Sequence, residues 1–424
     1  MRYGAGCLLL VLTASASGMG WVEHEVDSVF AGGVSVVAAD LDNDLDADLA
    51  ACAQNAHLFK WYENNGGGNF TSHVISPSYA GAHCVYAIDL DRDQDADLVT
   101  AAYIADDISW WENDGHGNFA RHVIATGFNG SMTVHAADVD GDSDADVLGV
   151  AYDGHDICWW EQQAGGSWVE HVIDDNYRGA HYVWAADIDR DDDADIVSAA
   201  YAVSEVTWWE NDGQENFTRH AVDNTLAGAH FTICPDLDGD RDPDIISAGY
   251  DNDDVAWYEN DGSGGFAKHV IDPYFDCPFS VWSADVDADG DEDLLGAALH
   301  ADQIAWYEND GSQQFTKHVI AGGYDGAASV YAADIDGDED VDVIGAALLG
   351  GRVTWWENVE TGIEEYGRSL EPATRIATVT SRPVLLPAGE TWHDAMGRRA
   401  TGARLAPGVY YTAGGHAGRL VVTR

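Results

Sequence analysis

The sequence predicts an all-β chain folded as a seven-bladed β-propeller, and three recurrences predict it. An Asp-rich segment begins at Asp40, Asp89, Asp138, Asp187, Asp236, Asp285 and Asp334, each 49 residues after the last. A tandem-aromatic marker, Trp-Trp/Tyr-Glu-Asn/Gln, starts at Trp61, Trp110, Trp159, Trp208, Trp257, Trp306 and Trp355 with the same interval. A His opening a triplet such as His-Val-Ile falls at His24, His73, His122, His171, His220, His269 and His318. A period of this length is the mark of a stacked or radial repeat.

Each period reads as four short strands. In the second, 85–88 leads into the Asp segment, 98–103 leaves it, 108–112 follows a polar turn, and 119–124 follows an Asn-Asp-Gly-type turn. Gly and Asn supply the positive φ angles of tight hairpins. Four antiparallel strands per period make a propeller blade, and a lone blade cannot bury both of its faces. The order of the markers predicts how the ring closes. The His strand at 21–27 precedes the first Asp segment, whereas the last Trp marker has no His strand after it. Pairing the first strand with the last blade removes an exposed edge.

Composition narrows the function classes. The chain is 46% hydrophobic with 16 Trp and 18 Tyr, which supplies a large ordered core, so its net charge of -56 does not signal disorder. That charge, without a basic patch, argues against nucleic acid as a partner. Residues 1–20, MRYGAGCLLLVLTASASGMG, read as a secretory signal peptide with a basic Arg2, an apolar run and a small-residue stretch near Ala16. The apolar run is shorter than the roughly 20 residues a membrane-spanning helix needs, and no other span approaches that length, so no transmembrane segment is expected. The cysteines beyond the signal, Cys52, Cys84, Cys158, Cys234 and Cys277, are odd in number and do not form a disulfide framework.

The Asp segments are the candidate metal sites, with Asp at positions 1, 3, 5, 7 and 9. The first three loops hold Asp40, Asp42, Asp44, Asp46 and Asp48, then Asp89, Asp91, Asp93, Asp95 and Asp97, then Asp138, Asp140, Asp142, Asp144 and Asp146. The fourth and fifth hold Asp187, Asp189, Asp191, Asp193 and Asp195, and Asp236, Asp238, Asp240, Asp242 and Asp244. The last two hold Asp285, Asp287, Asp289, Asp291 and Asp293, and Asp334, Asp336, Asp338, Asp340 and Asp342. Two carboxylates about 5 Å apart at an effective dielectric of about 20 repel by roughly 3 kcal/mol, so such crowding calls for a cation. Hard oxygen donors on a tight loop suit Ca2+, up to seven ions, better than the stricter octahedron of magnesium. The competing reading is a set of solvated acidic turns. A calcium loop of the EF-hand kind wants Gly at position 6, found only at Gly290; Leu45, Gln94, Ser143, Asp192, Arg241 and Glu339 stand there otherwise. Either the turn differs or affinities vary, with the Gly290 loop among the tightest and the Leu45 loop among the weakest.

The strings AADLDNDLDADL, AADVDGDSDADV and ADVDADGDEDLL, set before a Trp-Glu-Asn strand, resemble the FG-GAP or VCBS repeats of integrin α-subunit propellers and of many bacterial secreted proteins. The resemblance covers about residues 21–360. It implies that the loop joins the first and second strands of a blade. It also implies that side chains at positions 1, 3, 5 and 9 and the main-chain carbonyl of position 7 ligate calcium.

Other recurrences lie outside the loops. Tandem aromatics such as Trp110 and Trp111 point to opposite faces of a strand, as blade-to-blade packing needs, although they could stack on sugars. Ten residues before each motif stand Phe30, Tyr79, Phe128, Tyr177, Leu226, Phe275 and Tyr324, either anchors or a ligand platform. Six residues before it, His83, His181 and His230 recur in Gly-Ala-His strings. They are ordinary packing residues, or a transition-metal or acid–base group on the face opposite the Asp loops. Similar Gly-Ala-His strings occur in the propeller part of fungal aldos-2-ulose dehydratase, a sugar lyase.

After Asn358 the period stops, and residues 361–424 read as a linker and a small β domain. Its strings Ala-Met-Gly-Arg-Arg, Leu-Ala-Pro-Gly-Val-Tyr-Tyr and Val-Val-Thr-Arg resemble the C-terminal sorting domain of the bacterial type IX secretion system. That resemblance implies a β-sandwich tail read by the export machinery. The arginines Arg398, Arg399, Arg404, Arg419 and Arg424 make the tail basic in an otherwise acidic chain. The expected function is a secreted calcium-binding module that binds an extracellular glycan or protein ligand at the surface of a bacterium with two membranes. The alternatives are a carbohydrate-active lyase or dehydratase using His83, His181 and His230, and a structural surface-layer component.

Overall fold

The computed structural model describes residues 18–163 and 166–361, together with the strands Trp392–Asp394, Gly408–Thr412 and Arg419–Val422. Most of the predicted signal peptide and most of the tail, with its sorting-domain strings, lie outside the described residues. Contacts divide the chain into two units, 1–361 and 362–424. The described strands of the second form one three-stranded antiparallel sheet.

The first unit is the predicted propeller: seven four-stranded antiparallel sheets in sequence order, with no helix among the described residues. In the second blade the strands are Ala82–Ile88, Asp97–Ala102, Asp107–Asn113 and Phe119–Thr126: the first, third and fourth are longer than predicted, and the second is shifted one residue toward the loop, leaving Tyr103 in the following turn. The inner strand of each blade neighbours the next around the ring, and Ala327–Ala333 of the last blade neighbours Gly33–Ala39 of the first. Closure follows the predicted route. Gly18–Asp27 pairs antiparallel with Arg352–Thr361 as the outer strand of the last blade, His24 opposite Trp355. In the fifth blade the first two strands shorten to Ala229–Ile233 and Ile245–Gly249. There Pro235, which faces Asp244, offers no N–H to the ladder.

The core sits between blades. Seven apolar clusters each span one junction, such as Leu41, Trp61 and Tyr79 with Val85 and Trp111 between the first and second blades. The two aromatics of each marker point to opposite faces, and each meets a different partner. The second ring takes an edge from the aromatic ten residues before the motif: Tyr79 on Trp111, Phe128 on Trp160, Tyr177 on Trp209 and Tyr324 on Trp356. All seven residues of that ring are buried, so they anchor the blade and form no open platform. The first ring lies against the recurrent His, with centroids 4.2 Å apart for Trp159 and His171. The same imidazole reaches the Glu of the marker, His171 Nε2 to Glu161 at 2.9 Å and His220 Nε2 to Glu210 at 2.7 Å. All seven recurrent His residues repeat this arrangement as structural staples.

Half-buried ion pairs join neighbouring elements near the outer strands. Lys317 Nζ lies 2.8 Å from Asp272 Oδ2, and the Tyr307 hydroxyl donates to the same oxygen at 3.0 Å. Burial works to raise the Asp272 carboxyl, but Lys317, the Tyr274 N–H and Tyr307 outweigh it and hold the pKa below the usual carboxylate value. A depressed folded pKa gives a stabilisation that is complete above the unfolded value of about 3.9 and is lost as pH falls through the folded one. Thermal melts of wild type and Lys317→Met should therefore differ by a constant amount from neutral pH to about pH 5. The gap should close below about pH 4; a gap that does not narrow there would refute this account.

Candidate functional site

Each Asp loop connects the end of an inner strand to the start of the second strand, and its shape is set by two left-handed residues. Position 6 has a positive φ in all seven loops: Leu45 75°, Gln94 78°, Ser143 76°, Asp192 71°, Arg241 78°, Gly290 98° and Glu339 75°. The turn therefore does not differ where Gly is missing. Six loops carry a strain on the order of 1–2 kcal/mol at that residue. Position 4 is left-handed as well, at Asn43, Arg92, Gly141, Arg190, Gly239, Ala288 and Gly337, a feature the Asp pattern alone did not reveal.

The five carboxylates of a loop have different tasks. Position 1 accepts the N–H of position 6, as in Leu45 N to Asp40 Oδ2 at 3.0 Å and Gly290 N to Asp285 Oδ2 at 3.1 Å. Position 5 accepts the N–H of position 7, as in Asp144 N to Asp142 Oδ1 at 2.8 Å. In three loops, where position 4 of the preceding loop is Asn or Arg, position 7 meets the preceding blade: Asn43 donates to Asp95, Arg92 Nη1 lies 2.7 Å from Asp144 Oδ1, and Arg190 pairs with Asp242. Position 9 is fully buried and staples the loop shut. Asp195 Oδ2 accepts from Ile188 N at 3.0 Å and its Oδ1 from Asn211 N at 2.7 Å, and the pair of bonds recurs in every blade.

Positions 1, 3 and 9 converge. Each offers an oxygen within 4.8 Å of the other two in Asp40, Asp42 and Asp48, in Asp89, Asp91 and Asp97, in Asp138, Asp140 and Asp146, and in Asp187, Asp189 and Asp195. Burial pushes the carboxyl groups of Asp48, Asp146, Asp195, Asp244 and Asp342 up to about 7, and those of Asp97 and Asp293 to about 6. At positions 1 and 3 of five loops an oxygen is buried without a hydrogen-bond partner: Asp42 Oδ1, Asp89 Oδ1, Asp189 Oδ1, Asp236 Oδ1 and Asp336 Oδ1. Orphaned anionic oxygens cost free energy unless a cation meets them. A hard, all-oxygen donor set of this kind fits calcium.

The Asn or Gln ending each aromatic marker ties the loops into a ring. Asn211 Nδ2 donates to Ala194 O of its own loop and to Val139 O of the preceding one, at 3.2 and 3.0 Å. The same double contact holds for Asn64, Asn113, Asn260, Asn309 and Asn358. The sequence marked this residue by its recurrence alone, without its role.

On the opposite face the structure brings His83, His181 and His230 together. Their ring centroids lie 6.3 Å apart between His83 and His181 and 3.7 Å between His181 and His230. Each occupies a β-bulge of its inner strand, which re-aims the side chain to the mouth of the central channel. Each Nδ1–H donates to the carbonyl of the equivalent residue in the next blade, Met132, His230 and Phe279, at 2.8, 2.8 and 2.9 Å. Burial holds the imidazoles neutral, lowering His83 to about 4 and His230 to about 3, and His181 downward as well.

These residues floor a cavity of about 330 Å³ whose wall comes from one further repeat position. Gln54, Tyr152, Tyr201, Tyr250, Leu299 and Leu348, which hold one position of the 49-residue repeat in six of the seven blades, all line it. The Tyr201 ring lies 6.4 Å from Tyr152 and 5.9 Å from Tyr250. Tyr201 donates its hydroxyl to Asp251 at 3.1 Å. Aligning the repeats at the turn after the second strand would have found this crescent in the sequence.

Residues 40–100, 89–149, 236–296 and 285–345 match the family described as FG-GAP-like repeat, together just over half of the chain. Among curated proteins none matches the chain. A solved structure of an Agrocybe aegerita lectin, described for its specific recognition of non-reducing terminal N-acetylglucosamine, is 18% identical with a TM-score of 0.53. That match covers 76% of this chain and 87% of that one. BBS1N in complex with ARL6DN is 12% identical with a TM-score of 0.57, covering 81% and 98%. At such identities the likeness is one of fold.

Proposed function

Since the chain belongs to the FG-GAP-like repeat family, we propose that it is a secreted calcium-binding β-propeller acting as an extracellular or cell-surface binding module. The observation that carries the calcium assignment is the convergence of carboxylates 1, 3 and 9 in each of four loops, three of which hold a buried oxygen that no hydrogen bond satisfies. Bound calcium would be held by these carboxylates and by loop oxygens at positions 5 and 7, and would neutralise charge that burial makes costly. Export rests on the signal-like residues 1–20 and on the tail's likeness to a sorting domain.

The ligand is placed on the face opposite the loops. The loops repeat in every blade and are knitted together by the Asn contacts, which makes them scaffold. The tyrosine-lined bowl differs from blade to blade, and concave sites that combine apolar and aromatic walls with a few polar groups are where ligands bind. Tyrosine rings beside carboxylates suit the apolar faces and hydroxyl donors of a neutral saccharide, and the net charge of -56 disfavours an acidic one. The fold likeness to a lectin is in keeping with a glycan ligand. A glycan array probed with the calcium-loaded full chain should give saccharide binding that Tyr201→Ala reduces by roughly 10-fold or more, consistent with losing one aromatic contact, while calcium content stays unchanged. Equal binding by Tyr201→Ala would remove the bowl as the site.

A further inference from the structure

In six blades the long connection entering the inner strand ends on a glycine of positive φ: Gly32, Gly81, Gly130, Gly179, Gly228 and Gly326. In the sixth blade Cys277 holds the same position and keeps the left-handed backbone, at φ 54°. A side chain is thus tolerated where the repeat otherwise requires none, and such local conflicts concentrate at functional sites. What the thiol meets is equally particular to this blade. Cys277 Sγ is 2.8 Å from His300 Nδ1, and that nitrogen is 3.7 Å from Asp276 Oδ1. At the position of His300 the other blades carry Asn55, Ile104, Asp153, Ala202, Asp251 and Leu349, so the cluster is a departure from the repeat.

We propose that Cys277, His300 and Asp276 form a binding site for one transition-metal ion of the zinc class, on the face opposite the Asp loops. One sulfur, one nitrogen and one oxygen lie within 4.8 Å of one another. A tetrahedral zinc ion sits about 2.3 Å from sulfur and about 2.0 Å from nitrogen or oxygen, so its ligand atoms are roughly 3.3–3.6 Å apart. A small rotation of His300 away from the thiol meets that spacing. The mixed donor set selects against calcium, which takes six to eight oxygens, and favours a softer ion. Three protein ligands leave the fourth position to water or to a ligand. The Tyr250 ring, which lines the bowl, is 6.0 Å from that of His300, so the site borders the ligand cavity. A bare nucleophilic thiolate fits less well. It needs positive charge beside it, and the acidic groups acting on this thiol are the carboxylates of Asp276, Asp253 and Asp251.

The test is a cobalt and zinc titration of the full chain kept in excess calcium. Cobalt should bind one ion with a thiolate-to-metal charge-transfer absorption, and zinc should displace it. Cys277→Gly restores the residue of the other six blades, so it should fold at least as stably as wild type while losing the absorption. His300→Ala should lower zinc affinity more than about tenfold, as loss of a metal-site group does. An absorption that persists in Cys277→Gly, or zinc binding that neither variant changes, would overturn the proposal.

Discussion

Removing calcium from the full chain with a chelator should lower its melting temperature by about 15 °C or more. Each loop that binds only in the folded state contributes about 2.7 kcal/mol when free calcium is 100 times its dissociation constant. Three such loops supply about 8 kcal/mol, and a chain of this size shifts by roughly 2 °C per kcal/mol. The effect should reverse when calcium is restored, and magnesium should restore less because it demands a stricter octahedron and gives up its water reluctantly. Differential scanning calorimetry reads the shift directly. An unchanged melting temperature would sink the calcium assignment, because the carboxylate convergence would then lack a ligand that prefers the folded state.

The second large effect separates, within one loop, a carboxylate that staples the loop as well as facing the cation from one that faces the cation alone. Asp195→Asn should destabilise the protein by about 1–3 kcal/mol in chelator, and by more in calcium, where its carboxylate also faces the cation. The amide replaces one of two acceptor oxygens with a donor and leaves the buried N–H of Ile188 or Asn211 unsatisfied. Asp189→Asn, in the same loop, should behave differently. Its Oδ1 is buried without a hydrogen-bond partner and it feels the charges of Asp191, Glu210 and Asp187, so in chelator the substitution removes repulsion and leaves stability equal or higher. In calcium it should weaken the one loop. Chemical denaturation of both variants in both conditions checks this. Equal losses for the two variants in chelator would mean that positions 3 and 9 do the same work.

Much of the blade architecture was legible in the chain because it is periodic. The 49-residue interval aligns Trp61 with its six equivalents and His24 with His73, and a spare first strand facing an incomplete last blade leaves one closing pair. The roles inside the Asp pattern were less legible. Asp138, Asp140, Asp142, Asp144 and Asp146 are one residue type at one spacing, yet one caps a turn, one faces a neighbouring blade and one staples two strands. Those differences come from backbone geometry, above all the left-handed residues at positions 4 and 6, which composition does not encode where the residue is Leu45 or Arg92.

What the sequence by itself determined is the repeat, the number of blades, their closure and the location of the acidic loops, because local hydrophobic and turn patterns recur with a strict period. Only the tertiary structure decided what lies together across blades. The bulges at His83, His181 and His230 turn three side chains to one channel mouth, and ring closure sets Tyr152, Tyr201 and Tyr250 side by side. The same closure brings Asn211 of one blade onto the loop of another. Contacts between residues 49 or 72 positions apart depend on the curvature of the closed ring, and that curvature is a property of the packed blades rather than of any one repeat.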